Sequence, residues 1–322
     1  MDAHGKTIFS LGDTSRDVFP RSAWKPLQAI AVVSSGAADR YLLSTAELAL
    51  ACASHYGEAI HTRCVARWLR RLAISPASLK CGTQLSVYGL DIRTMQLRFR
   101  KSPTPIHNNC SGKHAAFLTL AKYRGSKRSD YLHPAALVQQ EIAECLSEVC
   151  QFDVRSRDVA IDGCAAPTYA VPINHLALGF ARFSEPRVLR GTYRDAALRL
   201  HAAISSNPIL FSGTRTFPSM IVARARGAVI VKPGAEGTYG LFIRELGWGI
   251  AIKVDDGALR TAECVAGAIL TELFHRRSEL KSIAASVARS RVKGSARQIT
   301  GEIRPTIQLT ESLKRFRGAA SK

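Results

Sequence analysis

Phe19-Pro20-Arg21-Ser22-Ala23-Trp24-Lys25-Pro26-Leu27-Gln28-Ala29 sets a serine three residues ahead of a lysine, at the mouth of an apolar run. The run over 27–33 stops at Ser34-Ser35-Gly36 and reads as a helix. Pro26 falls in its first turn, where a missing N–H breaks no hydrogen bond. Ser22 therefore stands at a helix start, and Lys25 lies one turn further on, within side-chain reach of its hydroxyl. A serine becomes a strong nucleophile only when a base takes its proton. A lysine can be that base once burial or nearby cations lower its pKa; Arg21 supplies one such cation. On spacing alone, a helix-start serine beside an exposed lysine is the simpler reading.

Working outward, residues 7–20 look extended, with a turn at Gly12-Asp13. Thr45 caps a second helix, which runs into Ser54-His55-Tyr56-Gly57-Glu58, and residues 59–73 form a basic amphipathic helix. Residues 80–105 read as irregular, and helices are expected over 115–121, 134–150, 192–205 and 261–274. Strands are expected over 159–161, 229–232 and 249–254. Strands and long helices without regular alternation indicate an α+β fold. Gly234-Ala235-Glu236-Gly237 lacks the spacing of a nucleotide-binding loop.

Two further clusters carry chemistry. Ser54 follows a helix and precedes a glycine turn, which exposes a hydroxyl. Lys253 ends the apolar strand Ile250-Ala251-Ile252 and is its candidate partner; Lys232, on a neighbouring apolar strand, competes for that role. Cys110-Ser111-Gly112-Lys113-His114 puts a thiol and an amine on one face of a turn, and Asp162-Gly163-Cys164 offers a second thiol among small residues. Two thiolates favour zinc. Lysine is a rare ligand, and His107 or His114 is the commoner third donor; a pair of free cysteines is the plainer alternative.

The 322 residues, 46% hydrophobic and 22% charged, suit one large core or two smaller ones. No run approaches the roughly 18 apolar residues of a membrane span, and the first residues do not read as a secretory signal. The expectation is a cytoplasmic protein whose eight cysteines stay reduced. Net charge is +20, unevenly spread: residues 276–322 hold 12 Lys/Arg against 3 acids, or 12 − 3 = +9. With aromatics at 7% and no nucleic-acid motif, this reads as a solvated basic surface rather than a nucleic-acid interface.

Taken together, these segments resemble the Rhizobium-etli-type L-asparaginases, in order and spacing from about residue 10 to 305. The likeness rests on the Ser22, Ser54, Cys110 and Cys164 stretches quoted above, with Lys232-Pro233-Gly234-Ala235-Glu236-Gly237, Ala251-Ile252-Lys253-Val254-Asp255-Asp256-Gly257 and Gly301-Glu302-Ile303-Arg304-Pro305. The resemblance implies a fold akin to serine β-lactamases and penicillin-binding proteins, with a central, mainly antiparallel sheet flanked by helices. It implies a single catalytic unit over 1–322 with α/β and helical lobes, a basic tail over 306–322, and a homodimer. It implies two serine-lysine tandems, Ser22–Lys25 and Ser54–Lys253, a zinc ion held by Cys110, Lys113 and Cys164, and supporting roles for Arg21, His114 and Asp162. The expected reaction is hydrolysis of asparagine to aspartate and ammonia through an acyl-enzyme, with Ser22 favoured as nucleophile. The sequence departs from the family pattern in a shorter start, in Gln84, and in Phe217-Pro218-Ser219. A serine-lysine peptidase or β-lactam hydrolase, and a basic noncatalytic binding protein on a degraded enzyme fold, are the competing readings.

Overall fold

In a computed structural model that describes residues 1–84 and 102–320, Arg21–Trp24 forms one tight turn that leads directly into helix α1 (Lys25–Ser34). Pro26 sits in the first turn of α1, as its missing N–H requires. Residues 27–33 are fully enclosed, so this helix is hydrophobic all round and central rather than amphipathic. Helix α2 (Thr45–Ala51) is capped by Ser44, not Thr45. Ser44 and Glu47 form a reciprocal capping box that satisfies two backbone N–H groups. Helices α4 (Ser111–Tyr123) and α5 (Leu137–Cys150) pack against α1, and α3 (Ala59–Arg71) packs on α2 and α4. Most of the irregular stretch expected over 80–105 lies outside the described residues.

The strands are short and antiparallel. β1 (Asp17–Val18) is the only strand in the stretch 7–20 expected to be extended; it pairs with β4 (Val171–Pro172). β2 (Val159–Ile161) and β3 (Pro167–Tyr169) make a hairpin. Helices α6 (Ile173–Ser184), α7 (Gly191–Ser206) and α8 (Phe217–Arg224) lead to the main sheet. Its order is β5 (Val229–Pro233), β6 (Thr238–Ile243), β7 (Trp248–Lys253). Helices α9 (Leu259–Leu273) and α10 (Ser278–Ala288) follow, then the hairpin β8 (Ser290–Lys293)–β9 (Ile299–Ile303) and α11 (Ile307–Ala320). The class is α+β. The basic C-terminal stretch is helical over 307–320, and Leu309 and Leu313 are buried with the sheet helices.

The sheet divides the apolar interior in two. Along β5, Val229 and Val231 join the cluster formed with α9 and α10, whereas Ile230 joins the larger cluster around α1. Successive side chains on a strand point to opposite faces, so Lys232 shares the face of Ile230 and is carried toward α1. All eight cysteines are free and buried.

His201 on α7 is enclosed against the edge of the Phe183 ring, 4.4 Å between centroids. Burial, then the nearby Arg244 charge, push its pKa down to about 3 from 6.5. The unfolded chain therefore binds a proton between those values that the folded chain refuses. The stabilisation is complete above pH 6.5 and is lost as pH falls toward 3, by on the order of a few kcal/mol. His201→Leu should flatten the fall in denaturant midpoint between pH 7 and 4; a fall as steep as in the parent contradicts this assignment.

Candidate active site

Two buried lysines meet one serine. Ser54 Oγ accepts from Lys25 Nζ at 3.0 Å and from Lys232 Nζ at 2.6 Å, and all three residues are buried. Lys25 Nζ also donates to the Ala53 carbonyl at 2.8 Å and to Cys110 Sγ at 3.0 Å. Burying a lysine is costly unless its amine is partnered or neutral. Lys25 finds three acceptors. Lys232 has Ser54 and the Pro233 carbonyl at 3.2 Å, and burial first, then the neighbouring charge of Lys25, hold its pKa well below the ordinary lysine value. A neutral amine beside a hydroxyl is a proton acceptor.

The expected partner of Ser54, Lys253, is elsewhere. Its Nζ donates to the carbonyls of Glu236 at 2.7 Å and Val254 at 2.9 Å. Register explains the difference. Lys232 pairs with Gly240, which pairs with Ala251 on β7, so Lys253 is two residues beyond the level of Lys232. It is also two strand spacings away, about 10 Å.

Ser22 is half-buried on the turn before α1, and no described residue hydrogen-bonds its hydroxyl. Arg21 precedes it with φ +53°, a left-handed conformation that costs a non-glycine residue about 1–2 kcal/mol. Three ion-pair contacts hold Arg21 there. Its Nε and Nη2 each lie 2.7 Å from Asp162 Oδ1, and its Nη1 lies 2.7 Å from Glu236 Oε1. The turn is pressed against the start of the β5–β6 loop. A Cβ on Gly234 would come within 2.7 Å of the Pro20 carbonyl and 3.1 Å of Ala23 N. Only glycine permits that approach, and it brings β5 beside Ser22.

Cys110 is the N-cap residue of α4, and Lys113 is three residues along. Gly112 lets the α4 start close on the end of α2, since a Cβ there would lie 2.3 Å from the Leu50 carbonyl. Cys164 occupies the tip of the β2–β3 hairpin, where Ala165 N donates to Asp162 O at 2.7 Å and Ala166 O accepts from Asp162 N at 2.8 Å. The hairpin delivers Cys164 to α4: Lys113 Nζ donates to Cys164 Sγ at 3.1 Å. A hydrogen bond from Cys110, working against burial and aided by Lys113, pulls Cys164 down to about 5 from 9. The same bond, with burial, pushes Cys110 up. Burial works to lower Lys113, but Cys164, Cys110 and Asp162 outweigh it and the net shift is upward. The cluster is thus a thiolate with a thiol and an ammonium as its donors. Burial likewise opposes ionisation of Asp162, and Lys113 and Arg21 reverse that to leave its carboxyl below the usual range.

His114 accepts or donates at 2.6 Å to Tyr131 Oη through Nδ1, while its buried Nε2 has no hydrogen-bond partner among the described residues. His55, unassigned in the sequence, anchors the loop after Ser54. Its Nδ1 accepts from Gly57 N at 3.0 Å, so its Nε2 is the donor to Ser111 Oγ at 2.8 Å. His55 stacks on His61, with centroids 4.8 Å apart. The departures from the family pattern find places too. Gln84 Oε1 accepts from Asn109 N at 3.3 Å, and Ser219 closes the capping box of α8 with Thr216.

Sequence reasoning identifies Ser22, Lys25, Ser54, Cys110, Lys113 and Cys164, and the structure joins the last five through short contacts. It misses Tyr131, for which no local signal exists. It mentions Lys232 and Glu236 without deciding for them; the signal for Lys232 is a lysine that continues the apolar run Val229-Ile230-Val231. No helix among the described residues is long and apolar enough to cross a membrane. No group of three or more His, Cys, Asp or Glu side chains among them is placed to hold a metal ion. A family model described as L-asparaginase II matches residues 1–305. A comparison with curated proteins finds no match.

Proposed function

The chain belongs to the L-asparaginase II family and is an amidohydrolase of that class; from this premise we propose that it cleaves the side-chain amide of asparagine through an acyl-enzyme on Ser22. The single observation that carries the mechanism is Ser54 Oγ bridging Lys25 and Lys232. The pattern Ser22-x-x-Lys25, an intervening serine and Lys232-Pro233-Gly234 parallels the S-x-x-K, S-D-N and K-T-G elements of penicillin-binding proteins and β-lactamases. This parallel supports a fold of that kind, working as one catalytic unit.

Lys25 first passes a proton through Ser54 to Lys232, and the amine so freed takes the proton of Ser22 as the hydroxyl attacks the amide carbon. Ser54 passes a proton between Lys25 and Lys232, whose lowered pKa suits it to receive one. Backbone N–H groups at the Ser22 turn stabilise the oxyanion. Ammonia departs with a proton returned along the same path, and water then hydrolyses the ester. Asparagine as substrate follows from the family; a homodimer and a cytoplasmic location are part of the proposal. The assay is ammonia release from asparagine, compared with glutamine and a chromogenic β-lactam. A colour change from ring opening of the β-lactam, with no ammonia from either amide, would transfer the machinery to the competing class.

Cys110, Lys113 and Cys164 have the donor chemistry for zinc: two sulfurs, one already held as thiolate, and an amine. The Nε2 of buried His114 adds a polar atom with no hydrogen-bond partner among the described residues. When bound, zinc would supply a fixed positive charge beside the substrate rather than the nucleophile. Lys113 must give up its proton to bind it, so loading should weaken as pH falls. Cys110→Ser and Cys164→Ser should each lower the zinc content of purified protein. Metal analysis returning the parental content in both variants rejects the assignment.

A further inference from the structure

We infer that Glu236, ion-paired to the Arg21 that precedes Ser22, reads the α-ammonium group of the substrate as a specificity-determining residue, and that Lys253 positions it. This rests on the asparaginase reading of the site. Arg21 stands next to Ser22, and its single positive charge is already matched by Asp162, which contacts two of its nitrogens. Glu236 brings a second carboxylate to the same guanidinium at 2.7 Å. The group of three carries one net negative charge, on a chain whose net charge is +20. Arg21 alone does not need the second acid.

The two acids differ in what they can do. Asp162 is nearly enclosed and also faces Lys113. The Glu236 side chain is 69% exposed. An exposed ion pair contributes roughly 0–1 kcal/mol, so exchanging Arg21 for a ligand ammonium costs little. The backbone of Glu236, in contrast, is fixed. It has φ +57°, and its carbonyl accepts from Lys253 Nζ at 2.7 Å. The next residue, Gly237, has φ +69°, and a Cβ there would meet Val254 Cγ2 at 2.2 Å. At the other end of the loop, Gly234 is pressed on Pro20 and Ala23. An exposed carboxylate on a fixed backbone beside the Ser22 turn is suited to a small cation. Asparagine offers one in its α-ammonium. Lys253 thereby gains a role that its place on β7 allows.

The test uses L-aspartate and succinate, which differ by the α-ammonium group, as competitive inhibitors of asparagine hydrolysis. The parent should prefer aspartate. In Glu236→Gln that preference should fall about tenfold or more, with KM for asparagine raised more than kcat is lowered. Lys253→Met should lower the same preference by a smaller factor. A parental preference retained in Glu236→Gln overturns the inference while leaving the asparaginase reading standing. A parent that releases no ammonia from asparagine overturns both. Because the Glu236 side chain is largely in solvent, its substitution does not threaten the fold; thermal melting of both variants checks this.

Discussion

Ser22→Ala should abolish asparagine turnover and leave the protein folded. The hydroxyl is half-buried, and its removal breaks no hydrogen bond among the described residues. Surface substitutions of this kind change stability within about 0.5 kcal/mol. Loss of a nucleophile that forms a covalent intermediate lowers kcat by about 10⁴-fold or more. The measurement is ammonia release at saturating asparagine, with a thermal melt on the same sample. Activity within tenfold of the parent would remove Ser22 from the mechanism and direct attention to Ser54.

The second large effect belongs to Lys232. Lys232→Met keeps the length and apolar stem but deletes the amine that contacts Ser54 at 2.6 Å. Loss of a proton acceptor in the transition state costs about 10²- to 10⁴-fold. Lys232→Arg should fare no better, because a guanidinium stays charged and cannot accept a proton. The sign of the pH response follows from burial. The Lys232 pKa lies well below the ordinary lysine value, so the amine is neutral above that pKa and fills with a proton as pH falls through it. Activity of the parent should drop on the acid side, and the residual activity of Lys232→Met should lose that limb. A parental pH profile in Lys232→Met would sever the amine from the chemistry. The same substitution could raise stability, since it exchanges a buried amine for an apolar group.

Much of the site is legible in the sequence because its pieces are local. Cys110 and Lys113 lie within one turn, and Ser22 and Lys25 within another, so spacing alone fixes which side chains share a face. Helix α1 is equally readable, from its apolar run and the proline in its first turn. The pairing of Ser54 is different in kind. Choosing Lys232 over Lys253 requires the register of β5, β6 and β7, and β6 itself is hard to see. Thr238–Ile243 is buried along its whole length, so it shows no alternation, and Gly240 interrupts it. Without β6, the two lysines look equivalent, each ending an apolar strand. The cap of α2 falls to Ser44 rather than Thr45 because Glu47, three residues on, answers Ser44. Helix α6 is legible too, since Ile173, Leu176, Phe180 and Phe183 recur at helical spacing, but Gly179 within it weakens a helix reading.

The zinc assignment shows the converse. Both cysteines stand out by their glycine-rich neighbours, yet nothing local indicates that they meet. The convergence depends on the β2–β3 hairpin, whose second strand, Pro167-Thr168-Tyr169, opens on a proline and is buried at every residue. Lys25 then links the two halves of the pocket, touching Ser54 on one side and Cys110 on the other.

The most direct test is to quench the protein in acid during asparagine turnover and locate the covalent adduct by peptide mass spectrometry. An aspartyl ester on the peptide carrying Ser22, absent from Ser22→Ala, is the predicted result. An adduct on Ser54 or Cys110, or turnover with no adduct on any residue, would contradict the mechanism.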